Sequence, residues 1–290
     1  LAIHIEWYRN LYVAKERSVL SNKLIIFFND NTKYLKKKYN VNMDIKEVNL
    51  KKLIFPNRKC LIIGAPGSGK SVLIKDMFHN LRNYVGRARI MSGTEDFNHF
   101  YETEIGIPTR FIDGEYAPAI LSKFKNGQKR IINDYMKKHK IKKKDDFTLK
   151  DHKNCGSFIV IDDCSYLKMN DKDFKDLIKN GRHYEAVVLI TLQYCLDFGP
   201  ETRNAIDVVV IFSDTNPENR KKIYKSFVGR SCGNFDTFNL LMDELVNNYT
   251  ALFILRSKTS TAFEDNIFFY KATERKNIDF GSPQFKKYRS

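Results

Sequence analysis

The residues best suited to chemistry lie in a glycine-rich octapeptide that follows a short apolar run. It reads GAPGSGKS and fits the pattern G-x-x-x-x-G-K-[ST] without a mismatch. Its members are Gly64, Ala65, Pro66, Gly67, Ser68, Gly69, Lys70 and Ser71. Glycines let such a loop curl so that its backbone N–H groups point at a phosphate, and a helix that begins there adds the positive end of its dipole. We predict that this loop and the adjoining Val72 bind ATP, with Lys70 on the β- and γ-phosphates and the Ser71 hydroxyl on Mg²⁺.

Two adjacent carboxylates, Asp162 and Asp163, follow a second apolar run, Phe158–Ile161. The carboxyl ends of neighbouring parallel strands meet at one edge of a sheet, so this pair is expected beside the glycine-rich loop. We predict that Asp162 binds Mg²⁺, directly or through water, and that Asp163 polarises the attacking water as a general base. The alternative for Asp163 is a solvent-exposed cap at the end of the strand.

Three further polar residues complete the predicted catalytic set. Gln193 follows the apolar run Val187–Thr191, where an amide can contact both the attacking water and the γ-phosphate. Arg182 precedes that run and Arg203 precedes the next one. Either arginine could reach the nucleotide of a neighbouring subunit as an arginine finger, and the alternative for each is a surface salt bridge.

The elements that must position these residues form an alternating pattern. Short β-branched runs, read as strands, are separated by helical segments, which predicts an α/β fold with a mainly parallel sheet flanked by helices. The predicted strands are Lys59–Ile63, Ala88–Met91, Phe158–Ile161, Val187–Thr191, Val208–Phe212, Ala251–Leu255 and Ile267–Tyr270. A helix is predicted to run from the glycine-rich loop through about Leu81.

Composition changes divide the chain into three predicted segments. Residues 1–49 are an N-terminal appendage, residues 50–272 are the nucleotide-binding domain, and residues 273–290 are a basic tail. Within the domain, residues 116–153 form a basic helical insertion whose lysine-rich end must face solvent or a partner.

The overall composition restricts the classes of partner. A formal net charge of +16 favours a polyanion such as nucleic acid, although the abundance of Lys, Asn, Ile, Tyr and Phe is also typical of an AT-rich coding sequence. The 5 cysteines are odd in number and contain no CxxC pair, so neither a disulfide framework nor a zinc site is expected. No apolar run approaches the ~20 residues of a membrane span.

These motifs together resemble the FtsK–HerA branch of P-loop ATPases, and within it the genome-packaging ATPases of nucleocytoplasmic large DNA viruses (the poxvirus, iridovirus and mimivirus group). The similarity covers roughly residues 51 to 272. It is carried by Gly64–Ser71, Ser92-Gly93-Thr94-Glu95, Ile161-Asp162-Asp163, Gly181-Arg182-His183, Gln193, Arg203-Asn204 with Asp207, and Tyr270-Lys271-Ala272. The acidic pair here is Asp-Asp, where bacterial members commonly have Asp-Glu.

The resemblance implies a RecA-like (ASCE) P-loop NTPase that translocates double-stranded DNA into a capsid as a homo-oligomeric ring of five or six subunits. Capsid proteins are further implied partners, and the implied location is the host cell cytoplasm, at viral factories, and the virion. Three rival classes are weighed against it. An AAA+ machine would have a helical C-terminal lid in place of the strands predicted after Tyr249. A small-molecule kinase has no use for the acidic pair with Gln193. A non-catalytic DNA- or capsid-binding protein would not retain Lys70, Ser71 and Asp162 together.

Overall fold

A computed structural model of the chain describes residues 45–54, 57–164, 171–246, 249–256 and 259–289. Most of the predicted N-terminal appendage, residues 1–44, lies outside the described residues. Residues from Lys46 onward form one compact unit. The first strand of this unit, Lys46–Glu47, falls inside the range 1–49 and belongs to the central sheet.

The unit is built on one nine-stranded sheet. In chain order its strands are β1 (Lys46–Glu47), β2 (Lys59–Ile63), β3 (Arg87–Ser92), β4 (Ile112–Asp113), β5 (Ser157–Asp162), β6 (Ala186–Leu192), β7 (Val208–Ile211), β8 (Thr250–Leu255) and β9 (Ile267–Lys271). In space the order is β1-β9-β8-β7-β2-β6-β5-β3-β4. Among the strands that the structure describes, only the β7–β8 and β8–β9 pairs are antiparallel. The predicted mainly parallel α/β sheet is confirmed, and the seven predicted strands are present to within one or two residues at their ends.

Burial on both faces explains why the central strands are almost continuously apolar. Every residue of β2, β5, β6 and β7 is buried. Strands covered by helices on both sides carry such runs instead of an alternating pattern. Since these strands are parallel, their carboxyl ends lie together at one edge of the sheet, here called the carboxyl edge. The first residues of the parallel strands, including Lys59 of β2, Arg87 of β3 and Ser157 of β5, lie at the opposite amino edge.

Helices cover both faces of the sheet. The α-helices are α1 (Leu50–Ile54), α2 (Lys70–Leu81), α3 (Glu95–Asn98), α4 (Pro118–His139), α5 (Leu149–Cys155), α6 (Lys172–Asn180), α7 (Pro200–Ala205), α8 (Pro217–Ile223), α9 (Gly229–Cys232), α10 (Phe235–Glu244), α11 (Phe263–Asn266) and α12 (Pro283–Lys286). Helix α2 packs with its buried residues into the main core cluster, against one set of alternating strand side chains. Helices α4 and α6 pack together on the other face, outside that cluster. Among the described residues, no helix combines the length and the apolar character that a membrane crossing requires.

The predicted insertion and tail are both folded against this unit. The range 116–153 contains α4 and most of α5, and the lysines at the end of α4 are exposed. The range 273–290 contains apolar residues that its basic composition conceals. Phe280 is fully buried and contacts the ring of Phe78 edge-on at 4.8 Å between centroids. The segment through residue 289 therefore caps the core and is not an extended tail.

Candidate functional site

The glycine-rich loop joins the central strand β2 to helix α2 at the carboxyl edge. Strand β2 lies between β6 and β7, so both neighbouring strands end beside the loop. The Gly64 amide donates to the Leu192 carbonyl at the end of β6, at 3.0 Å. The 12-residue helix α2 begins at Lys70, which aims its N-terminal amides at the space above the loop.

The loop glycines are required by its geometry. Gly69 has φ 110°, a conformation that other residues rarely adopt. A Cβ on Gly64 would lie 2.5 Å from the Ser68 hydroxyl and 2.7 Å from Phe212 Cβ. The loop is therefore curled tightly enough to present backbone N–H groups to a single anionic group.

The polar side chains of the loop fit a bound phosphate. The Lys70 ammonium donates to the carbonyls of Gly64 at 2.7 Å and Ala65 at 3.3 Å, so it lies across the mouth of the loop. The Ser68 hydroxyl oxygen is buried and has no hydrogen-bond partner among the described residues. A phosphate oxygen seated in the loop would supply that partner. Ser71 is exposed in the first turn of α2, so its hydroxyl is accessible to a metal ion. Val72 beside it is half-buried.

Asp162 is held at the end of β5 by two hydroxyl groups. The Tyr101 hydroxyl donates to its Oδ2 at 2.9 Å, and the Thr191 hydroxyl donates to its Oδ1. Burial raises the pKa of Asp162 above its ordinary value, while the hydrogen bonds from Thr191 and Tyr101 act in the opposite direction. The hydroxyl of Ser71 and the carboxylate of Asp162 are hard oxygen donors, which suits Mg²⁺.

Asp163 is turned toward the glycine-rich loop by an unusual backbone conformation. Its φ is 47°, in the left-handed region, and its amide donates to the Thr191 hydroxyl oxygen at 3.0 Å. Its Oδ2 lies 3.6 Å from the Lys70 ammonium. Strained backbone of this kind is concentrated at functional sites, where surrounding contacts hold it in place. The two predicted acids thus have different environments, one buried between hydroxyls and one facing the phosphate site.

Gln193 reaches the same region from β6. Its side chain is exposed, and it lines a cavity of about 590 Å³ together with Ala65 of the glycine-rich loop. Another residue beside the loop was not identified from the sequence. Tyr249 is 52% exposed and its ring lies against Gly69, so closely that a Cβ there would approach it to 2.6 Å.

Arg182 and Arg203 are not brought into this site. Each precedes the first residue of its strand, β6 or β7, and so lies at the amino edge, across the sheet from the loop. The ion pair between Lys59 and Asp207, at 2.9 Å, marks that edge. Arg182 is exposed and Arg203 is half-buried. Both arginines therefore lie at the edge of the sheet opposite to the glycine-rich loop of the same chain.

Sequence reasoning missed Tyr101 and Thr191, which position the acidic pair. Tyr101 lies in a π-helical turn, Phe100–Ile105, that follows α3. The carboxylate of Glu95 accepts hydrogen bonds from the amides of Tyr101 at 3.0 Å and Glu102 at 2.9 Å, and it thereby sets the start of that turn. Glu95 is part of the Ser92–Glu95 motif. The motif therefore included the residue that sets the position of Tyr101, although it did not identify Tyr101 itself.

Comparisons with known proteins find relatives among viral proteins and among solved structures, and these include two viral proteins and one solved structure. No protein-family model matches the chain. The chain is 34% identical over 257 residues to uncharacterized protein 088R of Invertebrate iridescent virus 3, covering 86% of this chain and 91% of that protein. It is 33% identical over 234 residues to uncharacterized protein 015R of Frog virus 3, covering 79% of this chain and 67% of that protein.

The solved structure is the genome packaging NTPase B204 from Sulfolobus turreted icosahedral virus 2, in complex with AMP. The match has a TM-score of 0.50 and 13% sequence identity, and it covers 75% of this chain and 98% of that one. At this identity the likeness establishes a shared fold.

Proposed function

We propose that this chain, which belongs to the family that includes these iridovirus proteins, is a P-loop ATPase of the FtsK–HerA superfamily that hydrolyses ATP to move double-stranded DNA into a viral capsid. The observation that carries the hydrolytic part is the approach of Asp163 to Lys70, at 3.6 Å. It places a carboxylate next to the ammonium that faces the phosphate site. An acid in that position can accept a proton from a water molecule aimed at the γ-phosphorus.

The chain's own residues have distinct roles in this proposal. Backbone amides of Gly64–Ser71 and Val72 bind and orient the phosphates of ATP. Lys70 releases the carbonyls of Gly64 and Ala65 and pairs with the β- and γ-phosphate oxygens. Ser71 and Asp162 would hold Mg²⁺, which when bound neutralises charge on those oxygens.

The reaction itself is a displacement at phosphorus. A water oxygen bonds to the γ-phosphorus, the bond to the β–γ bridging oxygen breaks, and the water proton passes to Asp163. Gln193, at the end of β6, orients that water and responds to the loss of the γ-phosphate. These roles place the acid and the amide at the ends of two neighbouring strands, β5 and β6.

Translocation requires a second site of action on DNA. The net charge of +16 supports a polyanionic partner, and the exposed lysines at the end of α4 are one place where phosphates can be gripped without reading bases. The proposal includes a ring of five or six subunits, capsid proteins as partners, and action in the cytoplasm of an infected host cell and in the virion. The fold shared with a packaging NTPase is consistent with this proposal.

The first test measures ATP hydrolysis by the full chain with and without linear double-stranded DNA. We expect hydrolysis to rise severalfold with duplex DNA of any sequence. The stimulation should decline steeply as salt is raised, because phosphate contacts release counterions. Lys70→Ala should reduce hydrolysis by about 100-fold or more, since it removes a cation that stabilises the transferring phosphoryl group.

A matched control is Lys75→Ala, which removes a lysine five residues further along α2 whose ammonium pairs with Glu104. It should leave the DNA stimulation intact. Hydrolysis that is indifferent to DNA at every salt concentration would refute the translocase and point to a protein-remodelling ATPase. Hydrolysis that survives Lys70→Ala would refute the nucleotide site.

A further inference from the structure

A cavity of about 520 Å³ lies far from the glycine-rich loop, at the amino edge of the sheet. Its floor includes Arg87 and Ser157, the first residues of β3 and β5. Helix α4 forms one wall, and the C-terminal segment around α12 forms another. The volume is within the range of about 300–1,000 Å³ that is typical of small-molecule sites.

The walls of this cavity are mainly aromatic and aliphatic. They include Phe111, Phe124, Phe285 and Tyr288. The guanidinium of Arg110 lies over the Tyr288 ring, 4.4 Å from its centroid, which adds a cation to the aromatic wall. A site of this composition suits a ligand with an apolar, planar body.

Arg87 carries a charge in this cavity that the described part of the chain does not balance. Its Nε is buried without a hydrogen-bond partner, and no ion pair to its guanidinium is found among the described residues. Burial lowers its pKa from the ordinary value. Its neighbour Arg89, two residues along the same strand, is by contrast paired with Asp113. A partly buried cation without an acidic partner opposes folding, so an anion that pairs with it would remove that cost.

Gly127 is a second residue at this cavity that lowers the stability of the fold. It lies in the interior of the 22-residue helix α4, where glycine is less stable than alanine. A Cβ built on Gly127 would meet no atom within 4 Å, so the position has room for a side chain. The glycine keeps part of the cavity volume open. Two residues that each weaken the fold therefore converge on one cavity.

We propose that this cavity is a second ligand site, separate from the ATP site, that binds a small anion with an aromatic body and pairs its anionic group with Arg87. The cations that face the cavity, Arg110 and the exposed Lys123 at its rim, favour the same sign of ligand. Both a carboxylate and a phosphate monoester satisfy this chemistry, and both make charge-assisted hydrogen bonds to a guanidinium.

The test titrates the full chain with 1-naphthoate and, separately, 1-naphthyl phosphate by isothermal calorimetry. It is done in the Lys70→Ala background so that the phosphate probe cannot report on the ATP site. We expect saturable binding of at least one probe with one site per chain, and the probe that binds more tightly identifies the anionic group. Arg87→Met should weaken that binding by about tenfold or more, since it removes the counter-charge.

Two further variants separate a ligand site from a structural role. Arg130→Met removes an exposed arginine of α4 outside the cavity and should change the affinity less than about twofold. Gly127→Leu should abolish binding while its Tm stays equal to or above that of the parent, because leucine is a better helix former and fills the open space. Arg87→Met should likewise keep or raise the Tm.

The proposal is overturned if neither probe binds saturably, or if Arg87→Met binds as tightly as its parent. It is also overturned if Gly127→Leu binds the probe normally. Failure of the ATP site would leave these results unchanged, because every measurement is made without ATP hydrolysis.

Discussion

Thr191 holds the carboxylates of Asp162 and Asp163, the two acids of the proposed site, in fixed positions relative to each other. Its hydroxyl donates to Asp162 Oδ1 and accepts the amide of Asp163 at 3.0 Å. One side chain from β6 therefore supports both acids at the end of β5. Asp163 has a left-handed backbone conformation, so it depends on this support to keep its carboxylate near Lys70.

Replacing this hydroxyl should therefore impair catalysis more than binding. We expect Thr191→Val to lower kcat by about tenfold or more, since it removes the acceptor that fixes Asp163, while the KM for ATP changes little. Steady-state kinetics in the presence of DNA would measure both. Thr191→Ser retains the hydroxyl and serves as the control. If the serine variant loses as much activity as the valine variant, the hydroxyl alone does not hold Asp163 in place and this argument is wrong.

The raised pKa of Asp162 predicts a pH-dependent effect on stability. Because folding raises this pKa, the favourable contribution of the protonated acid is complete below the unfolded-state value of 3.8 and is lost as pH rises through the folded-state pKa. Asp162→Asn has no charge to bury. Its Tm relative to the wild type should therefore increase as pH rises from about 4 to about 7.

Differential scanning fluorimetry of both proteins across that range, without nucleotide, makes this comparison. Mg²⁺ with a non-hydrolysable ATP analogue should then stabilise the wild type at neutral pH much more than the variant, because only the wild type has the carboxylate ligand. A Tm difference that does not vary with pH would contradict the burial argument.

At the scale of elements, the helix that follows the glycine-rich loop is tied to the antiparallel side of the sheet by one carboxylate. Asp76 of α2 is completely buried. It accepts hydrogen bonds from the Tyr270 hydroxyl at 2.7 Å, the Thr273 amide at 3.0 Å and Arg275 Nε at 2.7 Å. This contact connects the nucleotide-binding helix to the end of β9.

Removing that carboxylate should be strongly destabilising. Asp76→Ala leaves the Arg275 cation, the Tyr270 hydroxyl and the Thr273 amide without their acceptor, and we expect a loss of about 3–5 kcal/mol in the free energy of unfolding. Urea denaturation followed by circular dichroism would measure it. The matched control is Asp243→Ala, which breaks an ion pair whose carboxylate is 60% exposed and should cost less than about 1 kcal/mol. Equal losses in the two variants would show that Asp76 does not link the elements.

At the scale of the whole molecule, the two halves of the proposed catalytic set lie on opposite edges of the sheet. Lys70, Asp163 and Gln193 are at the carboxyl edge, while Arg182 and Arg203 are at the amino edge. A single subunit cannot bring them together. A ring in which the amino edge of one subunit faces the carboxyl edge of the next could do so, and this geometry supports the proposal that an arginine acts in trans.

Subunit mixing tests that arrangement directly. Arg203→Ala subunits keep the nucleotide site, and Lys70→Ala subunits keep the arginine. Each should be nearly inactive alone, since a finger is typically worth about 10³–10⁵ in rate, and an equimolar mixture should regain part of the activity.

The same experiment with Arg182→Ala decides between the two arginines. If neither arginine variant loses activity, or if neither mixture recovers any, the trans role is wrong. Arg130→Ala provides a control for loss of positive charge.

The sequence by itself determined the features that depend on local chemistry. The glycine-rich loop, the strand that ends in Asp162 and the strand that leads to Gln193 are all readable from short segments, because their spacing follows from phosphate contacts and from burial on both faces. The α/β class followed from the alternation of such segments. The short strands β1 and β4 were missed because two residues carry no periodic signal.

Only the tertiary structure decided which distant residues share a site. Tyr101 reaches Asp162 across a separation of 61 residues, and Thr191 does so across 29. The apolar residues Ile278, Phe280 and Phe285 lie in a segment whose basic composition predicted a tail, yet they complete the core. Such contacts depend on strand order and on which side of the sheet a helix covers. Those are set by the sum of many packing interactions, so no single segment of the sequence reports them.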